Sequence, residues 1–443
     1  MIKKVFVLFL CLSFILSGCN VQNAETSMSL ENKKLEIFCL EGANISYALI
    51  AFREKFPEVR LSVEKFKTST EMEDVLINRI NTKQAPDIVI FDFSTTLDFE
   101  KLAQKKAFYP LTNFVKDDVD FTSEKYLSAA VEVFQSNEEQ YFLPFSFMPI
   151  INYSPRSLME SLQISQGETT LEEYFHAVQN HAEENTDDSY TLSFFRLFQV
   201  FGAVDIPIVP LLLSVADIDI AEEMNSPNFK EKLKLVIDFS RLIELQDQKA
   251  KNAYDTNWSF VNWKNTFAIS HSYYDMATDI SGYISAYQSY FKEEVEYFML
   301  PTLEDAQKSS CLLSSWGSIL ADCENPKLAY DFLRCVVDNY EVRFQQNTSM
   351  WFTPVSKEKM FENIELYKSR SWMMKDGTVV HPIPDSVAEN IIELYHSVTA
   401  LHFPNPKFEN FIATEFYDYF QEISEYDVCY EKFLNKMNLY HEE

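Results

Sequence analysis

The chain has 443 residues, 47% of them apolar and 15% aromatic, with 38 Lys and Arg against 67 Asp and Glu. That length and apolar content indicate two or three domains with sizeable cores and exclude a disordered chain. The formal net charge of −29 repels phosphate backbones and anionic headgroups, which argues against a nucleic-acid partner. Only seven glycines occur, none close to another, so neither a GxxxxGK loop nor a GxGxxG loop can form. A nucleotide-hydrolysing or dinucleotide-binding chain is thereby excluded. There is no GxSxG elbow and no HExxH. A carboxylate pair for glycoside hydrolysis has no specificity among 67 acidic residues. His176 and His181 lie five apart on a predicted helix, the wrong spacing for one face. The expectation is a chain that is not an enzyme and needs neither cofactor nor metal.

The chain begins with Lys3 and Lys4, an apolar run over 5–16, and then Leu16-Ser17-Gly18-Cys19. A short apolar run ending in small residues is an export signal rather than a span, which needs about 20 apolar residues. The LSGC string resembles a bacterial lipobox. The resemblance implies that residues 1–18 are removed and that Cys19 carries a diacylglycerol, which anchors the chain to the extracytoplasmic face of the cell membrane. An ordinary signal peptide with an incidental cysteine, or a buried apolar N-terminal segment, is the alternative. Residues 19–32 are polar and without periodicity, and read as a flexible tether. Five cysteines follow: Cys39, Cys311, Cys323, Cys335 and Cys429. The odd number and the absence of CxxC disfavour a disulfide framework or a zinc site. Cys39 reads as a small buried hydrophobe, and a Cys311–Cys323 bridge stays open.

KLEIFCL at 34–40 predicts a strand. Ile45, Ala48, Leu49, Phe52 and Phe56 recur at helical spacing over 44–56. A strand over 59–66, a helix over 69–80 and an apolar strand at 88–91 follow. This alternation predicts βαβ units with a parallel sheet covered by helices on both faces. Residues 97–105 read as helical, and 141–153 as extended, since Pro144 and Pro149 exclude a helix interior. A mostly helical stretch spans 171–245, and 257–275 is rich in aromatics. Strands are expected at 295–300 and 315–321, a helix at 326–339, and helices at the end of the chain.

In this order the segments resemble the extracellular solute-binding proteins of ABC importers, in particular the maltose-binding-like oligosaccharide group, family 1. The matching segments are APDIVIFD at 85–92, AFYPLTNFVKDD at 107–118, YFLPFSFMPIINYS at 141–154, WKNTFAIS at 263–270, MLPT at 299–302, ENPKLAYDFLRCVVD at 324–338 and FTPVSKE at 352–358. Their correct order behind the lipobox carries the likeness. The scarcity of glycine departs from it and implies bulkier ligand loops. The resemblance implies an α/β, two-lobed periplasmic-binding-protein-like fold with three hinge crossings, type II. Lobe one would be 33–143 plus 300–350, and lobe two 144–299 plus 351–443. It implies a monomer that captures a small solute, foremost a carbohydrate or oligosaccharide, in an interlobe cleft and delivers it to an ABC permease. The alternatives are a non-transport surface lipoprotein or sensor on the same fold, and a binder of peptides or polyamines.

Sugars present hydroxyls and flat apolar faces, so their sites pair aromatic platforms with carboxylates and amides. In open parallel sheets, ligands lie beyond the carboxyl ends of the strands. Those two rules select Glu41 after the first strand and Asp92 after the third; the resemblance adds Phe145 in the first crossing, Tyr273 and Tyr274 after FAIS, where relatives commonly place a stacking aromatic, Trp316 in SWGS near the cleft, and Trp351 in the third crossing. Each has a plainer reading: Phe145 can pack the hinge, and Asp92 can cap the following helix.

Overall fold

In this computed structural model the described residues are 33–135, 139–149, 151–184, 195–196, 208–218, 220–253, 268–270, 295–340, 353–369, 371–373, 379–380, 382, 384–403 and 406–442. Residues 1–18, the tether 19–32 and Cys19 lie outside them.

The first body forms as the alternation predicts. Strand β1 (Lys34–Leu40) pairs in parallel with β2 (Arg60–Phe66) and β3 (Ile88–Asp92). Helix α1 (Ser46–Lys55) joins β1 to β2, and α2 (Ser69–Asn81) joins β2 to β3. Thr68 caps α2 by accepting from the Glu71 N–H at 3.2 Å. Because side chains alternate along a strand, Leu35, Ile37 and Cys39 face one core and Phe38 faces another. Met72 and Leu76 of α2 cover the Phe38 face. Helix α3 (Phe99–Gln104) packs Phe99 and Leu102 on the same side.

The sheet then turns mixed. Strand β4 (Leu143–Met148) and β9 (Ser309–Ile319) run antiparallel to each other, and β9 also runs antiparallel to β3. The order is β10-β4-β9-β3-β1-β2, with β10 at Thr353–Pro354; β13 (Val398–His402) pairs in parallel with β9. Every residue of β9 is buried. Helix α7 (Pro326–Asp338) lies over α1, with Phe52 and Phe332 edge-on at 5.4 Å. Arg334 of α7 donates from Nε to Asp118 (2.7 Å) and from Nη2 to the Tyr126 hydroxyl (2.8 Å), tying the 118–126 loop to the helix.

The second body has the sheet β6-β7-β5-β8, formed by β5 (Ile151–Pro155), β6 (Phe195–Arg196), β7 (Ala268–Ser270) and β8 (Val295–Met299). Helices α4 (Leu171–Glu184), α5 (Ile208–Val215) and α6 (Phe229–Ala253) supply its core, where Phe175 and Phe239 stack at 3.7 Å. Thr170 and Glu173 cap α4 reciprocally: Thr170 N–H donates to Glu173 Oε2 at 2.8 Å, and Glu173 N–H to Thr170 Oγ1 at 3.3 Å. Helices α10 (Pro406–Glu415) and α11 (Tyr426–Glu442) complete it through Phe408, Ile412 and Phe433.

The chain passes between the bodies from β4 to β5, from β8 to β9, and between β13 and α10. The last of these differs from the expected crossing at 352–358. Residues 353–354 pair with β4, and Val355 N–H donates to the Phe145 carbonyl at 3.0 Å. Helices α8 (Lys357–Ser369) and α9 (Asp385–His396) then turn Met360, Ile364, Ile391 and Tyr395 into the first core. The segment assigned to lobe two from residue 351 thus packs with the first body as far as β13. Between α8 and α9, a hairpin pairs β11 (Trp372–Met373) with β12 (Val379–Val380).

Gly317 of β9 sits where the packing leaves no room for a side chain. A Cβ there would lie 2.5 Å from Phe145 Cζ and 2.6 Å from Leu333 Cδ2. Gly317→Ala overpacks the core and is expected to destabilise the fold by about 1–3 kcal/mol. Chemical denaturation checks it: an unchanged midpoint would mean that both side chains yield freely.

Candidate functional site

The carboxyl end of β3 opens into a tightly bonded turn. Asp92 is half-buried, and its Oδ1 accepts from Ser94 twice, from N–H at 2.9 Å and from the hydroxyl at 2.5 Å. Burial pushes the Asp92 carboxyl above its ordinary value, against the two Ser94 hydrogen bonds. The next residues are anchored from α2. Glu73 is buried and accepts from Thr95 Oγ1 (2.7 Å), Thr96 N–H (2.7 Å) and the Thr96 hydroxyl. Asp98 then caps α3 by accepting from the Lys101 N–H at 2.9 Å. The turn from Asp92 to Asp98 is therefore held at both ends and in the middle.

Beside Asp92 lies Ser315, its register partner on β9. The β4–β9 ladder carries two irregularities around Ser146, where an extra residue disturbs the alternation of faces. Ser146 and Ser314 share a hydrogen bond at 2.7 Å between their hydroxyls, and Ser146 donates to the Tyr340 hydroxyl at 3.1 Å. Burial pushes the Tyr340 phenol up to about 12, so it is neutral at physiological pH. These groups and Asp92 form a polar floor under the end of the sheet.

The expected ligand residues divide into three groups. Glu41 is exposed directly after β1, and Asp92 stands at the end of β3, so both occupy strand ends of one sheet. Phe145 and Trp316 are fully buried. Phe145 packs against Gly317 and Leu333, and Trp316 sits among Phe91, Phe99 and Phe403 with ring centroids at 6.0, 5.6 and 5.2 Å. The indole N–H of Trp316 has no hydrogen-bond partner among the described residues. Tyr273, Tyr274 and Trp351 lie outside the described residues. Sequence reasoning missed Glu73, Tyr340 and the β9 serines. Only Glu73 left a signal, as an acid beside the apolar Met72–Leu76 stripe of α2.

A second polar cluster joins the two bodies. His402 of β13 bonds through Nε2 to Asp217 Oδ1 at 2.8 Å and to Ser310 Oγ at 3.1 Å, while Ser310 reaches the same carboxylate at 3.2 Å. Asp217 follows α5 with φ 58°, a left-handed conformation that Asp and Asn tolerate. Ser, His and Asp are all present, yet one ring nitrogen serves both partners. A proton relay needs the two nitrogens separately engaged, so this trio cannot activate Ser310 as a nucleophile. Among the described residues no group of three metal-ligating side chains occurs, and no helix is long and apolar enough to cross a membrane. The described cysteines are free thiols; burial pushes Cys39 and Cys335 up to about 11 and Cys323 up to about 12.

Two outcomes follow from this geometry. Trp316→Ala empties a packed aromatic site and is expected to cost about 3–5 kcal/mol in denaturation experiments. The hydrogen bond from His402 holds the Asp217 carboxyl below the ordinary carboxylate value, against burial. A lowered folded-state value contributes stability above the unfolded-state value, and that contribution is lost as pH falls through the lowered one. Asp217→Asn keeps the backbone conformation but removes this term, so acid unfolding followed by circular dichroism should lose steepness at its acid end. An acid limb identical to the parent's would contradict that assignment.

No protein-family model and no curated sequence matches the chain. Solved structures do match over nearly the whole chain. The sugar-binding protein MalE from Xanthomonas citri gives a TM-score of 0.58 at 12% identity, covering 91% of this chain and 96% of that one. A family 1 extracellular solute-binding protein from Alicyclobacillus acidocaldarius gives 0.53 at 11%, covering 91% and 97%. An ABC substrate-binding protein from Listeria monocytogenes, solved with cycloalternan, gives 0.51 at 13%, covering 93% and 99%. At these identities the likeness is one of fold: the chain has the two-lobed α/β fold of the extracellular solute-binding proteins.

Proposed function

We propose that this protein is an extracytoplasmic solute-binding protein. It captures a carbohydrate, foremost an oligosaccharide, between its two bodies and presents it to an ABC permease. Cys19 carries the lipid anchor, and 19–32 is the tether that sets its reach. The observation that carries the reading is the turn at the end of β3. Its backbone is fixed by Glu73, Ser94 and Asp98, while the hydrogen bonds among the described residues leave Asp92 Oδ2 open. A fixed carboxylate at a strand end suits a hydroxyl-rich ligand. The fold supports the same reading, since MalE from Xanthomonas citri is a sugar-binding protein and the Listeria structure holds cycloalternan. Glu41 and Asp92 are the acidic contacts in this proposal, with Tyr273, Tyr274 and Trp351 as aromatic platforms. The protein works as a binder rather than an enzyme. A solute that touches both bodies only when they close shifts the population toward the closed form, which a permease can read. On this reading the bodies comprise roughly 33–148 with 309–402, and 151–303 with 406–442.

The test is a thermal-shift panel of oligosaccharides, amines and peptides. At least one oligosaccharide should raise the melting temperature, by binding the native state alone. Asp92→Asn should weaken that binding about tenfold, the loss of one charge-assisted hydrogen bond. A panel in which only amines or peptides raise the melting temperature would sink the carbohydrate reading and favour the polyamine or peptide alternative.

A further inference from the structure

Lys101 belongs to α3, which is built into the first body. On either side of it, Phe99 stacks on Phe108 at 4.8 Å, and Leu102 packs in the same cluster. Tyr440 belongs to α11 and the second body, with its ring edge-on to Phe408 at 5.8 Å and to Phe411 at 5.7 Å. Lys101 Nζ donates to the Tyr440 carbonyl at 2.9 Å. The same ammonium stands 3.7 Å from the centre of the Tyr440 ring. One cation thus meets both a carbonyl in the last turn of α11 and an aromatic face. The first is favoured by the helix dipole and the second by the ring quadrupole. Lys407, on the second body itself, is 6.0 Å from the same ring, at the outer limit of such an attraction.

The position of this contact gives it a role. Lys101 N–H is the group that Asp98 caps, so the contact continues directly from the Asp92–Asp98 turn. Phe403, which leads into the passage from β13 to α10, stacks on Phe99 at 5.6 Å. The contact therefore lies where the candidate ligand turn meets one of the three passages. We propose that Lys101 and Tyr440 form an interbody brake: the ammonium pins the second body to the candidate ligand turn and holds the two bodies in the arrangement seen here. The proposal rests on the reading that the bodies move relative to one another, but not on the identity of any solute.

The experiment measures the distance between the bodies without solute. Fluorescent labels go on Glu54→Cys in α1 and Asn435→Cys in α11, both exposed, in a Cys323→Ser background. Energy transfer in single molecules then gives the distance distribution. Lys101→Met keeps most of the stem and removes the charge. It should lower the population of the parent distance relative to other distances by about fivefold, while Lys101→Arg retains the parent distribution. Tyr440→Leu keeps an apolar contact with Phe408 and Phe411 but removes the ring face; it should shift the distribution in the same direction by less. Its reading stands even if Lys101→Met does not fold. A contact that served only local packing would lower the melting temperature and leave the distance distribution alone. An unchanged distribution in a folded Lys101→Met or Tyr440→Leu protein overturns the brake. Because no solute is added, a failed carbohydrate panel does not bear on this outcome.

Discussion

Hydrogen bonding along β9 is the constraint on which the rest of the molecule depends. This strand of eleven residues is buried throughout and bonds to β3, β4 and β13. A buried strand must satisfy its backbone groups from its neighbours, so the three partners are fixed by what β9 needs. Its first residues receive α5 from the second body through Ser310 and Asp217. Its middle carries the serines beside Asp92. Its far end carries Gly317, whose missing side chain lets Phe145 and Leu333 close over the sheet. A passage between the bodies, the floor of the candidate site and the core are successive stretches of one strand.

Much of the first body was legible because its elements obey single periodicities. β1, β2 and β3 alternate or run apolar, α1 and α2 carry apolar stripes, and a helical crossover between successive strands returns the chain to pair in parallel. The first half of β9 was not legible. The expected strand begins only at Ser315, whereas β9 starts at Ser309, where hydroxyls find partners within the sheet. β13 was lost for a related reason: VTALH is too short to assert a period inside a helical region. The third passage was displaced because the apolar faces of α8 and α9 do not say which of two cores they enter.

The candidate site was legible to the extent that a strand end can be located. Glu41 and Asp92 fall where the rule for open sheets puts them. The aromatic candidates from the sheet show the limit of that rule. Whether Trp316 looks toward a ligand or into the core depends on pleat parity, and the irregularities in the β4–β9 ladder disturb that parity within a few residues. Glu73 lies one residue from the turn of the helix that buries Met72, and only the folded turn shows that its partners are Thr95 and Thr96.

The free thiols carry a consequence for the life history of the chain. At neutral pH about one thiol in ten thousand is ionised at Cys39 and Cys335, and about one in a hundred thousand at Cys323, so these three scarcely react with disulfides or electrophiles in the folded protein. Before folding, the same side chains are ordinary cysteines in water. A chain destined for an oxidising exterior would then face a race between collapse and mispairing, with a single odd thiol able to cross-link two molecules. In such a setting the speed with which these side chains are buried would set how much of the chain escapes mispairing.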